Sequence, residues 1–256
     1  MWTIYRVRRG ASDIISPALA EGSNLPMVDM PTALQPGNLI SYGDGAGMQS
    51  LINQAQQEGR EWVYIDRGYF KARHYDGYYR VTHNAYQLQR VGAYPSTRFD
   101  ALGLEIRPWR KEGKHILVCP PSPHLASMVG LDSKAWLQKT LQTLRRYTKR
   151  EIIVRHKAPP GWRELHPIEK VLEGAHALVT YASNAAIDAL LMGIPIFMTS
   201  ARGAAFAYSQ ADLTWIENPR FPEGREQLMY SLAANQWTVE EMKNGTCWRQ
   251  LQENQF

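Results

Sequence analysis

The sequence predicts an α/β protein of two halves, each a parallel sheet with helical crossovers, closed by a C-terminal helical tail. Short apolar runs bounded by breakers recur at 38–42, 61–66, 115–119, 151–155, 177–179 and 194–198, as largely buried strands require. Helical patterns fall between them at 48–58, 134–147 and 185–191. Between 91 and 114, Gly92, Pro95, Gly103, Pro108 and Gly113 break any periodicity, as in an interdomain linker. Alternation of this kind indicates parallel strands joined by right-handed crossovers, and the division expected is 1–108 and 109–256.

In the first half, Asn38-Leu-Ile-Ser-Tyr reads as a strand and Gly43-Asp-Gly-Ala-Gly as a tight turn. A helix over 48–58 follows, closed by Gly59, and then the strand 61–66. The glycine turn lacks the final x-x-G spacing of a dinucleotide fingerprint, so it is either a substrate loop or only the turn that the fold needs. Residues 64–84 are dense in Tyr, His, Arg and Asp, with a hairpin signal at Asp76-Gly77. They read as a hairpin held by cross-strand aromatics, or as a platform for a sugar or base. The density of polar aromatics favours the platform, with Arg67, Tyr69, His74 and Tyr79 as its contact residues.

The second half starts with the strand 115–119 and a rigid Pro120-Pro-Ser-Pro-His loop that offers Ser122 and His124. Asp132 or Ser133 caps a helix over 134–147, with Trp136, Leu137, Leu141 and Leu144 on one face. Arg155, His156 and Lys157 come directly after the strand 151–154; they suit a pyrophosphate or a carboxylated sugar, or form a solvated basic turn. A short helix over 164–174 leads into the most informative stretch, 177–200. There a strand meets a polar turn with Ser183 at the N-cap position, then the helix 185–191, Gly193 and Pro195, and a second strand. A helix N-terminus beside the carboxyl end of a parallel strand is a place for an anion, although phosphate-free units of this kind are common. Arg202 and Gly203 complete the same rim. The tail carries helices over 225–234 and 239–251, packed through Leu228, Met229, Leu232, Met242 and Trp248, with a Thr238/Glu241 capping box.

Lysine and arginine total 29 against 24 acidic residues, a net charge of +5 that is compatible with anionic ligands. The basic residues are densest at 6–9, 107–111 and 145–150. Cys119 and Cys247 are too few for a metal site, and His115, His166 and His176 read as structural. No zinc spacing, D-x-D, P-loop or G-x-S-x-G occurs, which argues against a bound metal and against kinase and hydrolase chemistry. No apolar run approaches the ~18 residues of a membrane span, and the N-terminus lacks a signal-peptide core, so a cytoplasmic location is expected.

The string Val-Thr-Tyr-Ala-Ser-Asn-Ala-Ala-Ile-Asp-Ala-Leu-Leu-Met-Gly-Ile-Pro, 179–195, resembles the donor-binding segment of GT-B glycosyltransferases. It is most similar to the capsule-polysaccharide (Kdo-transferase-like) proteins, and the continuation through 214 fits the same comparison. Asp188 stands where that family more often has Glu, and Asn184 where Thr is usual. The resemblance covers about 115–220. It implies two Rossmann-like halves in a compact GT-B arrangement, a cleft between them, and a terminal helix that often crosses back to the first. It further implies a nucleotide sugar as co-substrate, no cofactor, and transfer to a saccharide or other hydroxyl. Donor contacts would come from Ser183, Asn184, Asp188, Arg155, His156, Lys157, Ser122, His124 and Arg202. Asp188 would hold a ribose hydroxyl, and the cations would stabilise the leaving phosphate. Asp66, then Asp44, are the candidate bases at strand ends of the acceptor half.

Two further readings compete with that one. A soluble basic enzyme of this size suits DNA carrying hydroxymethylated pyrimidines, as bacteriophage GT-B enzymes modify it, and then binds DNA in a salt-dependent way. A non-catalytic nucleic-acid-binding protein on a degenerate α/β scaffold uses the same aromatics and basic residues. An epimerase or hydrolase of sugar nucleotides shares the phosphate site without needing a macromolecular acceptor.

Overall fold

A computed structural model of the chain describes residues 1–45, 47–72, 76–157 and 167–255. Two compact units divide it: Met1–Leu102 together with Met229–Phe256, and Gly103–Leu228. Among the described residues the strands form one sheet of six and one of four. The fold class is α/β with a Rossmann-like sheet in each unit, as the sequence predicts.

In the first unit, β1 (Trp2–Arg6), β2 (Met27–Asp29), β3 (Asn38–Tyr42) and β4 (Trp62–Arg67) run parallel in the order β2, β1, β3, β4. β5 (Tyr79–His83) returns antiparallel to β4, and β10 (Gln236–Trp237) pairs antiparallel with β5. Alternate residues of the same strands fill two cores: Ile4, Ile40, Val63 and Ile65 in one, Tyr5, Leu39, Trp62 and Tyr64 in the other. That is the period of two expected of a sheet covered on both faces. Helix Met48–Gln57 buries Met48, Leu51, Ile52 and Ala55, and is entered through Gly47 at φ 86°. The sequence does not reveal β1, the helix Ser12–Ser23 or β2. Arg6, Arg8 and Arg9 give β1 the look of a basic arm, and Pro17 stands inside the helix.

The tail belongs to this unit, not to the second half where its sequence position puts it. Oε1 of Gln236 accepts from the backbone N–H groups of Tyr69 (2.9 Å) and Phe70 (3.0 Å). Trp237, Met242, Trp248 and Leu251 join the core that contains Ile4 and Val63. The predicted capping box forms at Val239–Lys243, but Gly245, at φ 81°, breaks the expected continuous helix, and Thr246–Gln255 follows as a separate one.

In the second unit, β6 (His115–Cys119), β7 (Glu151–Val154), β8 (Ala175–Thr180) and β9 (Ile196–Met198) are parallel in the order β7, β6, β8, β9. Every residue of β6 and β8 is buried, which explains their unbroken apolar character. Helix Ser133–Tyr147 is capped by Asp132, whose carboxylate accepts from the N–H groups of Lys134 and Ala135 at 2.8 and 3.0 Å. Its Leu144 packs with Ile116, Val118, Ala177, Val179 and Phe197. Helix Ile168–Leu172 is shorter than the predicted 164–174, whose first residues, with His166, lie outside the described ones. His115 and His176 are structural as expected, each with Nε2 on a backbone carbonyl, of Val171 and Ile216.

The boundary between the units falls inside 91–114, at Leu102 and Gly103, but the second part of that stretch is not a loose linker. Arg107 and Arg110 donate backbone N–H groups to the carbonyls of Leu191 (2.8 Å) and Gly193 (2.6 Å). Arg225 stands 4.0 Å over the Trp109 ring and donates to Leu190 O at 2.9 Å. No helix among the described residues is long and apolar enough to cross a membrane.

Gly193 combines φ 72° with a position where a Cβ would collide with the Pro108 carbonyl. Gly59 has a similar φ of 67° but open space around it. Gly59→Ala should therefore cost about 1 kcal/mol and Gly193→Ala roughly 3 kcal/mol or more, read from urea unfolding of each variant.

Candidate functional site

Four parallel strands put four carboxyl ends on one edge of the second sheet. The strand order reverses between β6 and β8, and the crevice outside such a switch point is where open α/β sheets hold ligands. The loop after β6 carries Ser122, which caps the helix Pro123–Met128 by accepting from Leu125 N–H at 3.3 Å. His124 is exposed on that helix. The loop after β8 carries Ser183 and Asn184. The sequence places the N-cap at Ser183; it falls one residue later, at Asn184, which is αR and makes no side-chain cap bond. Ser183 Oγ instead accepts from Ala185 N–H at 3.2 Å.

Arg155 enters from the end of β7, anchored by its N–H to Val118 O at 2.9 Å. Its guanidinium charge is felt at both the Cys119 thiol and the Asp188 carboxyl, lowering the pKa of each. His156 and Lys157 follow, both exposed. On the far side, Gly203 has no room for a Cβ between Met198 and Ala182, so the loop after β9 lies against the loop after β8. That contact brings the exposed Arg202 to the rim. The loops that carry Ser122, Arg155, Ser183, Asn184 and Arg202 thus leave one edge of the sheet, with Asp188 in the helix that follows Asn184.

Helix Ala185–Leu191 is only seven residues long, so its end charge contributes little at this edge. Burial is the main reason that the Asp188 carboxyl is pushed up to about 7; Glu169 adds to the rise and Arg155 opposes it. Burial likewise pushes the Cys119 thiol up to about 12, which removes it as a nucleophile at neutral pH. The sequence does not single out Trp136 and Tyr181 for this edge. Trp136 Nε1 donates to Thr199 Oγ1 at 2.8 Å, and its ring meets Tyr181 edge-on at 6.5 Å. Helical periodicity marks Trp136 only as apolar, because position along the helix, not the face, puts it at the carboxyl edge.

The carboxyl edge of the first sheet is organised differently. Asp66 Oδ2 accepts from the buried Arg80 at 2.7 Å and Oδ1 from Arg67 N–H at 2.7 Å, so both oxygens are engaged. Arg80 also donates to Arg67 O at 2.9 Å and lies over the rings of Tyr64 and Tyr69. Tyr69 and Tyr79 are buried at 7% and 2% exposure, and Tyr69 Oη accepts from Leu88 N–H at 2.8 Å. Their rings pack the unit's interior and are not a surface platform, a correction to the sequence reading. His74 lies outside the described residues. Arg67 is partly exposed and hydrogen-bonds Tyr42, whose hydroxyl burial, Asp66 and Tyr79 push up to about 12. Asp44, in the glycine turn after β3, is partly exposed.

Removing the Asp66 carboxylate leaves the buried Arg80 charge uncompensated. Asp66→Ala should lower stability by ~2–4 kcal/mol in chemical unfolding, and Asp66→Ala/Arg80→Met should recover part of that loss. At Asp188 the folded chain holds a proton up to about 7, and the unfolded chain releases it near 3.8. Stability should therefore fall as pH rises through that window, and Asp188→Asn should flatten the fall in a pH series of melting temperatures.

No protein-family model and no curated protein matches the sequence. Solved structures do. The β-Kdo 2,4-transferase of Thermosulfurimonas dismutans KpsC aligns at TM-score 0.56 and 10% identity, over 90% of this chain and 89% of that one. The β-Kdo 2,7-transferase of the same protein aligns at TM-score 0.51 and 10% identity, over 97% and 99%. Likeness of that extent at so low an identity shows a shared fold, the GT-B-like pair of Rossmann-like units.

Proposed function

We propose that this chain, built on the fold of two Kdo transferases, transfers a glycosyl group from a nucleotide-sugar donor to a hydroxyl acceptor. The observation that carries the reading is the gathering of Arg155, Ser183 and Asp188 at the switch point of the second unit, within that fold. There the donor's phosphates meet Arg155, His156, Lys157 and Arg202, with Ser122, His124, Ser183 and Asn184 as polar contacts. These cations offset the charge that develops on the leaving phosphate, so the transfer needs no metal. Asp188, protonated over much of the range below 7, adds no repulsion toward the phosphates there and can donate to a ribose oxygen.

The bond from the anomeric carbon to the phosphate breaks and one to the acceptor oxygen forms, with the acceptor proton passing to a base on the first unit. Asp66 is held by Arg80 and Arg67 N–H through both oxygens, which favours Asp44 as the base, with Arg67 positioning the acceptor. Asp44→Asn should lower kcat by 10²–10⁴ and leave donor affinity unchanged in single-turnover and binding assays.

A thermal-shift panel of UDP-, GDP-, CMP- and dTDP-linked sugars tests the donor site, Kdo donors first because both neighbours are named Kdo transferases. A donor at ~100 times its dissociation constant should add about 2.7 kcal/mol of stability. Arg155→Ala and Ser183→Ala should each weaken that donor by about tenfold or more. A panel without any shift, in the presence or absence of divalent metal, sinks the reading.

A further inference from the structure

The basic cluster at 145–150 takes no part in the chemistry above, and it is not a featureless solvated turn. It borders an open depression of about 540 Å³ lined by Arg146, Tyr147, Thr148, Lys149, Arg150 and Glu217. That volume falls within the roughly 300–1,000 Å³ of small-ligand sites. Its floor is fixed. Thr148 Oγ1 donates to Glu217, Arg150 pairs with Glu217 at 3.1 Å and donates to Gly113 O, and His176 is bonded to Ile216 O beneath. The walls are unlike the floor. Arg146 and Lys149 are exposed, with no acidic partner among the described residues, and Tyr147 is 48% exposed. Glu217, the acid in the lining, is already matched by Arg150. Glu151, exposed at the start of β7, does not line the depression.

The place in the fold separates this feature from the donor site. Residues 148–150 lead into β7 at the amino ends of the strands, where His115 and Glu151 are in register. The switch-point crevice lies at the opposite ends, about 15 Å away along β6. A ligand here does not enter the transfer step.

We propose that this depression binds a segment of an acidic polysaccharide and so tethers the acceptor or product chain to the enzyme. Unpaired arginine and lysine side chains match carboxylates spaced along a sugar chain, and the exposed Tyr147 face packs against the apolar side of a sugar ring. Single-stranded nucleic acid is the poorer fit: its grooves interleave several aromatics to stack successive bases, and only one aromatic lines this depression. The role as a tether rests on the transferase reading, while the anion site stands or falls by itself.

Full-length protein would be titrated with oligogalacturonate, neutral dextran oligomers and oligo-dT, at low and at moderate salt. Parallel titrations would use Arg146→Glu/Lys149→Glu and Tyr147→Ala. These side chains are exposed, and unchanged melting temperatures confirm folding. The expected result is oligogalacturonate binding that weakens with salt, falls at least tenfold in the double variant and about threefold or more in Tyr147→Ala, and is absent with dextran. Donor-induced thermal shifts should be the same in all variants. Binding that ignores Arg146→Glu/Lys149→Glu overturns the proposal, as does its absence in the parent protein. Tighter, Tyr147-dependent binding of oligo-dT overturns it in favour of nucleic acid. A failed donor panel with intact oligogalacturonate binding removes the transferase reading and leaves the site.

Discussion

Parallel pairing of β6 with β8 is the constraint on which the rest of the second unit depends. Both strands are buried throughout, so each tolerates only apolar or internally bonded side chains, and polar function is displaced to the loops beyond their ends. Thr180, at the end of β8, illustrates the rule by donating its hydroxyl to Cys119 O at 2.7 Å. Because the strands are parallel, every displaced loop of one kind emerges on the same edge. Ser122, Arg155, Ser183 and Arg202 lie on one edge for that reason, though they come from four different loops. The same geometry leaves the opposite edge to turns such as 148–150, where a separate basic depression develops.

The first unit has the same β2, β1, β3, β4 type of order but a different electrostatic interior. A buried guanidinium, Arg80, is satisfied by Asp66, by backbone carbonyls and by two tyrosine rings. Removing that charge from water is offset only while all of those partners are present. The stretch dense in polar aromatics is therefore chiefly the housing of a buried cation. The tail completes this housing: β10 pairs with β5 and Gln236 bonds to Tyr69 and Phe70.

Charge is distributed unequally between the two edges of the second sheet. At the carboxyl edge a cation, Arg155, stands near an acid held partly protonated, so an incoming anion meets attraction with reduced opposition at neutral pH. At the amino edge Arg146 and Lys149 are exposed and their attraction is screened by salt. The first arrangement suits a small ligand that must be oriented, and the second a long one that needs only to be retained.

Local patterning in the sequence determined several elements closely: the strand 38–42 in the first unit and the helix 185–191 in the second coincide with the observed ones, and Asp132 caps the helix that it precedes. Those features depend on neighbours in the chain, through periodicity, capping and glycine geometry, which a single sequence records. It also placed the loops after β6, β7, β8 and β9 on one edge, because parallel strands make loop position predictable. Tertiary structure alone decided the rest. The membership of 229–256 in the first unit comes from pairing between Gln236 and Arg80, and no local pattern encodes such a partner. The same holds for Tyr79, which packs in the core, and for Asp66 and Tyr69, which lie against the charge of Arg80, a residue that sequence patterning does not mark as buried. Burial of a charge is a property of everything packed around it, so it is settled only when the distant strands meet.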